Sequence, residues 1–138
     1  MYDYDYEAGE FRVAGLPLLL QTPRDGDDEG DYTVGEDTGR RTWEAAVVIA
    51  KYLEHRPEEV AGKRVLELGA GSGAASLAAL VCGAKEVCVT DLEYCLPTLR
   101  TNLASSTQTW ETMLKKTTSD ELIRNTAQKA IGASIRVA

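Results

Sequence analysis

From Glu67 to Gly73 the chain reads Glu-Leu-Gly-Ala-Gly-Ser-Gly, three glycines at alternate positions behind a carboxylate. Glycine has no Cβ, so such a run lets the backbone turn tightly and lets a ligand lie against it. Where a helix begins directly behind the run, its first N–H groups are free and carry a partial positive charge, which suits a phosphate or a carboxylate. Asp91 lies 22 residues beyond Gly69. An acid at about that distance, at the end of the next strand, can accept hydrogen bonds from ribose hydroxyls. Loop and acid together point to a nucleoside-containing cofactor, and spacing alone does not decide which one. The loop is G-x-G-x-G, but Gly69, Gly71 and Ala74 also satisfy the looser G-x-G-x-x-A pattern of dinucleotide sites.

The elements around the loop have the order such a site needs. Arg64-Val65-Leu66-Glu67-Leu68 is a predicted strand behind the turn Gly62-Lys63, and the Ala- and Leu-rich run Ala74 to Cys82 is a predicted helix with Gly83 as its terminating residue. Glu86-Val87-Cys88-Val89-Thr90 is a second strand that delivers Asp91, and a second helix starts near Leu96-Pro97 and runs through Leu99 and Leu103. Upstream, Trp43, Ala46, Val47, Ala50 and Leu53 form one apolar face of a helix from about Trp43 to Glu54, with Thr42 as its cap and Pro57 beyond its end. Helix, strand, glycine loop, helix, strand, helix is an α/β layered pattern with parallel strands. Residues 11–20 suggest strand, and the run Asp25 to Asp31 a loop. Ala104 to Thr118 is rich in Thr and Ser and reads as a loop or weak helix. Thr118-Ser119-Asp120-Glu121 spells a capping box for a helix with Leu122, Ile123, Ala127, Ala130 and Ile131 on its apolar side, and Ser134 to Val137 is a candidate third strand.

Composition narrows the function classes. The net charge of -7 is unevenly spread, since residues 1–37 hold 11 acidic and 2 basic side chains while the remainder is slightly basic. An acidic leader argues against nucleic acid as a partner, which calls for a basic surface. No apolar run approaches the ~20 residues that span a bilayer, and the N-terminus lacks the basic and apolar regions of a signal peptide, so a cytoplasmic or nuclear address is expected. Cys82, Cys88 and Cys95 fit no zinc or redox spacing and read as reduced, mostly buried small residues. The single histidine, His55, reads as a surface residue at a helix end. No metal site is expected.

Several separated motifs occur in sequence: Thr38-Gly39 with Trp43, then Gly62-Lys63-Arg64-Val65-Leu66-Glu67-Leu68-Gly69-Ala70-Gly71-Ser72-Gly73, then Gly83-Ala84-Lys85-Glu86-Val87, then Thr90-Asp91-Leu92, then Leu99 and Asn102. Over residues 38–103 the chain resembles the family 16 methyltransferases, seven-strand enzymes that use S-adenosylmethionine, many of them on lysines of non-histone proteins. The resemblance implies a Rossmann-like α/β fold and S-adenosylmethionine as cofactor. It implies that Gly69, Ala70 and Gly71 approach the methionine part and ribose, that Glu67 shapes that end of the pocket, and that Asp91 binds the ribose hydroxyls. Leu92 would line the adenine side and Trp43 would pack near the cofactor. A protein lysine side chain is the implied acceptor, and no catalytic residue is assigned.

The family continues past its third strand into a Leu-Asp-Trp-like segment and a fourth strand ending in Asp-x-x-Tyr. Asp91-Leu92-Glu93-Tyr94 and Asp3-Tyr4-Asp5-Tyr6 match those letters but follow no fourth strand, and Trp110 follows no strand. The expectation is therefore the N-terminal half of the fold, truncated after about the third strand. The expected division is an acidic, partly flexible leader over 1–37, the cofactor-binding half over 38–103, and a divergent or truncated segment over 104–138. Two further readings stay open: an inactive fragment that keeps part of the cofactor site, and an NAD(P)-binding Rossmann protein.

Overall fold

The structure, a computed structural model, describes residues 4–5, 10–20, 44–116 and 120–138. The N-terminal elements are strands β1 (Tyr4–Asp5), β2 (Glu10–Val13) and β3 (Leu16–Leu19), joined in that order as an antiparallel sheet. Val13 pairs with Leu16 across the two-residue loop Ala14-Gly15. Both loop residues have positive φ, 47° and 81°, the pair of values a type I′ hairpin turn demands. The apolar letters of residues 11–20 are accounted for by burial: Phe11, Val13, Leu16, Leu18 and Leu20 are fully enclosed.

Helix α1 (Glu44–His55) follows, then β4 (Arg64–Glu67), α2 (Ala74–Val81), β5 (Glu86–Val89), α3 (Leu96–Lys115), α4 (Glu121–Gly132) and β6 (Ser134–Val137). The strands β4, β5 and β6 form a parallel sheet in that order, with Leu66 opposite Cys88 and Cys88 opposite Arg136. This is a Rossmann-like α/β arrangement, three parallel strands joined by helices. Alternation along the strands divides the sheet: Val65, Val87, Val89, Ile135 and Val137 pack into the core, while Arg64, Leu66 and Arg136 on the other face are exposed. The parallel pairs need helical crossovers, which α2 supplies between β4 and β5, and α3 with α4 between β5 and β6.

The short helix α2 is enclosed along nearly its whole length, from Ala74 to Val81 with only Ala75 partly open. Its small side chains let α1 pack closely against it, through Val47, Ala50 and Leu53 on α1. It ends as the sequence implies, with Gly83 at φ 94°. The Gly83 N–H bonds to Leu80 O at 3.0 Å and the Ala84 N–H to Ala79 O at 3.0 Å, the paired bonds of a Schellman motif.

Two expectations from sequence are refined: of the loop or weak helix read after Ala104 the helix stands, and the cap of α4 moves. The Thr- and Ser-rich stretch after Ala104 is helix through Lys115, one continuous element with the run from Leu96. Its hydroxyls are satisfied by the helix itself: Thr107, Thr109 and Thr112 each donate to the carbonyl four residues back, at 2.8 to 3.0 Å. One face of α3 buries Leu99, Asn102, Leu103, Ser106 and Trp110. Trp110 Nε1 donates to Pro17 O at 2.7 Å and Ser106 Oγ accepts from the Leu19 N–H at 2.9 Å, so α3 completes the hydrogen bonding of β3. The second refinement is the cap of α4, which is Asp120, its carboxylate accepting from the N–H groups of Leu122 and Ile123. Thr118 lies outside the described residues, as do Thr38, Gly39, Thr42, Trp43 and the acidic run Asp25 to Asp31. Among the described residues no helix is long and apolar enough to cross a membrane.

Candidate functional site

The loop that joins β4 to α2 lies at the carboxyl ends of two neighbouring parallel strands, where open α/β sheets hold their ligands. Gly69, Gly71 and Gly73 all take positive φ, at 67°, 57° and 91°. At Gly69 a Cβ would meet no atom within 4 Å, so the surface over the loop there is open and only the backbone conformation resists a side chain. At Gly73 a Cβ would come within 2.8 Å of Leu99 Cδ1, so α3 presses directly on the loop from behind.

The loop is tied to β5 and α3 by specific bonds. The Ala70 N–H donates to Thr90 O at 3.0 Å, and the Thr90 N–H returns to Glu67 O at 3.0 Å. Thr90 Oγ1 also donates to Glu67 O, at 2.7 Å. The Asn102 amide, fully buried on α3, donates to Ser72 O at 2.9 Å. Asp91 closes the circuit: its Oδ2 accepts from the Gly71 N–H at 2.7 Å and its Oδ1 from the Leu92 N–H at 2.6 Å. A carboxylate has about four acceptor positions, so each Asp91 oxygen keeps capacity for a further donor such as a ribose hydroxyl.

Glu67 ends β4 and turns toward α2. Helix α2 begins at Gly73, which offers no side-chain cap. The Glu67 carboxylate takes that place from the neighbouring strand, accepting from the hydroxyl and the backbone N–H of Ser76. Burial pushes the Glu67 carboxyl above the usual carboxylate range, the Ser76 donors pull it back, and the nearby Asp91 charge adds to the rise. Two carboxylates therefore flank the loop, and they engage the very donors that an anionic ligand would need. Of the phosphate or carboxylate that the sequence suggests for the helix N-terminus, the protein itself supplies a carboxylate, Glu67.

Six of the seven residues singled out from sequence, Glu67, Gly69, Ala70, Gly71, Asp91 and Leu92, converge on this loop and the adjoining strand end. Leu92 is exposed beside Asp91, with 64% of its surface open. The seventh, Trp43, lies outside the described residues. Sequence reasoning did not single out Ser76, and Asn102 entered only as a matching letter. The signal was present in both cases, since each is a polar residue set among apolar ones on a helix face. The cysteines are free; Cys82 and Cys95 are buried and Cys88 is half-buried. Burial, with the Glu54 charge, pushes the Cys82 thiol up to about 11, which leaves it unreactive. Among the described residues no group of three His, Cys, Asp or Glu could hold a metal ion.

Comparison with known proteins agrees with this geometry. A family model described as lysine methyltransferase matches residues 30–128. A protein N-terminal and lysine N-methyltransferase of Neurospora crassa is 46% identical over 72 residues, which is 51% of this chain and 26% of that protein. A protein N-lysine methyltransferase of Danio rerio is 44% identical over 61 residues, 44% of this chain and 28% of its own length. The electron transfer flavoprotein beta subunit lysine methyltransferase of Danio rerio is 41% identical over 51 residues, 37% of this chain and 20% of that protein. The matched stretch thus spans about a quarter of the length of these relatives.

Proposed function

We propose, from the premise that the chain belongs to the lysine methyltransferase family, that it binds S-adenosylmethionine at the β4–α2 loop as the cofactor-holding part of a protein-lysine N-methyltransferase. The observation that carries this reading is the pair of carboxylates at the loop, Glu67 and Asp91, with the Gly71 N–H already given to Asp91. Two unit charges about 5 Å apart interact by ~3 kcal/mol at an effective dielectric of about 20. A dinucleotide pyrophosphate brought to this loop would meet repulsion of this kind from Glu67, whereas Asp91 suits the ribose of either cofactor. A sulfonium and an ammonium group would meet attraction instead. The letters Gly69, Gly71 and Ala74 leave both cofactors open; the electrostatics favours the cation.

The residues present fit that cofactor. Asp91 would hold the ribose hydroxyls on its remaining acceptor positions, and the Gly71 N–H keeps it in place to do so. Gly69 leaves the loop surface open for close approach, Ala70 and Asn102 hold the loop against β5 and α3, and Leu92 offers an apolar surface on the adenine side. Trp43 belongs to the same proposal through the family pattern alone. Bound there, S-adenosylmethionine would supply a methyl group activated by the sulfonium for transfer to a nucleophile held in line with it. The acceptor, a lysine side chain of another protein, is inferred from the relatives, which are named as lysine methyltransferases.

Equilibrium dialysis with methyl-labelled S-adenosylmethionine tests the binding, and label transfer to proteins of a cell lysate tests turnover. Retention of label that is displaced by S-adenosylhomocysteine and left in place by NADH is the expected result. Displacement by NADH alone, or no retention, would overturn the reading. Binding without transfer assigns the chain to cofactor holding and removes turnover.

A further inference from the structure

Ser76 has no part in any step described above, yet its side chain is aimed into the site. It is the third residue of α2 and only 1% exposed. Its hydroxyl, rather than bonding back along the helix as the threonines of α3 do, donates to Glu67 Oε2. We propose that Ser76 is a positioning residue: its hydroxyl holds the Glu67 carboxylate charged against the first turn of α2, and so keeps beside the glycine loop the negative charge that a cationic ligand needs.

The argument is one of opposed forces on a single carboxyl. Glu67 sits at the end of a strand with a second carboxylate, Asp91, on the neighbouring strand end. Burial and that like charge both favour the protonated, neutral form. The two donors of Ser76, N–H and O–H, act the other way. Among the described residues these are the groups that act on Glu67: Asp91 from the end of β5 and Ser76 from α2, with no cation paired to it. The backbone N–H is there whatever the residue, so the side chain at position 76 is the part that sequence can vary. A neutral Glu67 would leave the loop with one carboxylate in place of two and would weaken its hold on a cation. The proposal has a consequence for the residue type, since alanine fits the small, enclosed position equally well and lacks only the donor.

Two measurements test this, one of which needs no ligand. The first follows the side-chain carboxyl 13C resonance of Glu67 against pH in the free protein, for wild type and Ser76→Ala. The expected result is a titration midpoint above that of an exposed glutamate, moved to still higher pH in Ser76→Ala. An unchanged midpoint overturns the proposal. The second, which rests on the cofactor reading above, measures S-adenosylmethionine affinity across pH. Wild type and Ser76→Ala should bind alike well above both midpoints. Below the wild-type midpoint Ser76→Ala should be weaker, by a factor that approaches the ratio of the two acid dissociation constants read from the titration. On a Glu67→Gln background Ser76→Ala should have no pH-dependent effect. Weakening by the same factor at every pH would make Ser76 a merely structural residue and overturn the proposal. A moved midpoint with no binding of S-adenosylmethionine at any pH would support the hold of Ser76 on Glu67 and overturn the cofactor reading instead.

Discussion

Asp91 is a brace, and in the proposed site it is also the receptor for the ribose. Its two backbone bonds, to the Gly71 and Leu92 N–H groups, fix the carboxylate before any ligand arrives, which lowers the ordering cost of binding. Asp91→Ala should therefore weaken S-adenosylmethionine binding by roughly tenfold to a hundredfold, the range for loss of hydrogen bonds to a charged group, as read by calorimetry. Glu67 has the opposite thermodynamic signature. Its carboxyl is raised in the folded protein, so the fold prefers it protonated. That preference stabilises the fold below the ordinary glutamate range and fades as pH rises through the raised value. Glu67→Gln should thus raise the melting temperature at neutral pH more than at pH 4, while weakening cation binding at neutral pH. Thermal melts at the two pH values check the first effect, and equal shifts at both would contradict it. Glu67, the glycines, Asp91 and Leu92 were legible in the letters because a strand, a tight turn and a spaced acid are local patterns. Ser76 stood out only as a polar letter in an apolar helix, since its partner Glu67 is brought to it by the fold of the loop.

At the level of elements, β4, α2, β5, β6 and the apolar face of α1 follow directly from periodicity and turn residues. The long helix α3 does not. Its second half carries Ser105, Ser106, Thr107, Thr109 and Thr112, letters that suit loops because such side chains compete for backbone hydrogen bonds. Here the threonines bond back to the helix's own carbonyls, and the decisive contacts come from far along the chain. Trp110 reaches Pro17 across 93 positions and Ser106 reaches Leu19 across 87, distances over which a local pattern carries no information. The hairpin β2–β3 and the helix α3 therefore stand or fall together. Trp110→Ala should cost about 3–5 kcal/mol, the usual range for emptying a buried aromatic site, and should expose the hairpin to proteolysis. Denaturant unfolding measures the first effect, and a cost under about 1 kcal/mol would contradict the packing described. Asn102→Ala, which strips Ser72 O of its buried donor, should cost about 1–3 kcal/mol and weaken ligand binding by loosening the loop.

For the molecule as a whole, the arrangement is a glycine loop held on three sides. Strand β5 holds it through Thr90 and Asp91, α3 through Asn102 and Leu99, and α2 through Ser76 and Glu67. The parallel sheet faces the helices through Val65, Val87 and Val89, and leaves Leu66 on its other face 62% exposed. A ligand that binds the folded chain alone adds stability as RT ln(1 + [L]/Kd), about 2.7 kcal/mol at a hundredfold excess over Kd. S-adenosylhomocysteine at that excess should raise the melting temperature by several degrees, an effect that Asp91→Ala should reduce. The central claim is that the glycine loop takes a cationic nucleoside cofactor, with Asp91 on its ribose and the Glu67 carboxylate disfavouring an anionic dinucleotide. Calorimetric titration of the wild-type chain with S-adenosylmethionine and with NADH, in the same buffer at neutral pH and low salt, tests it most directly. The account predicts saturable binding of S-adenosylmethionine, lost or much weakened in Asp91→Ala, and no binding of NADH; NADH binding of equal or greater affinity would contradict it.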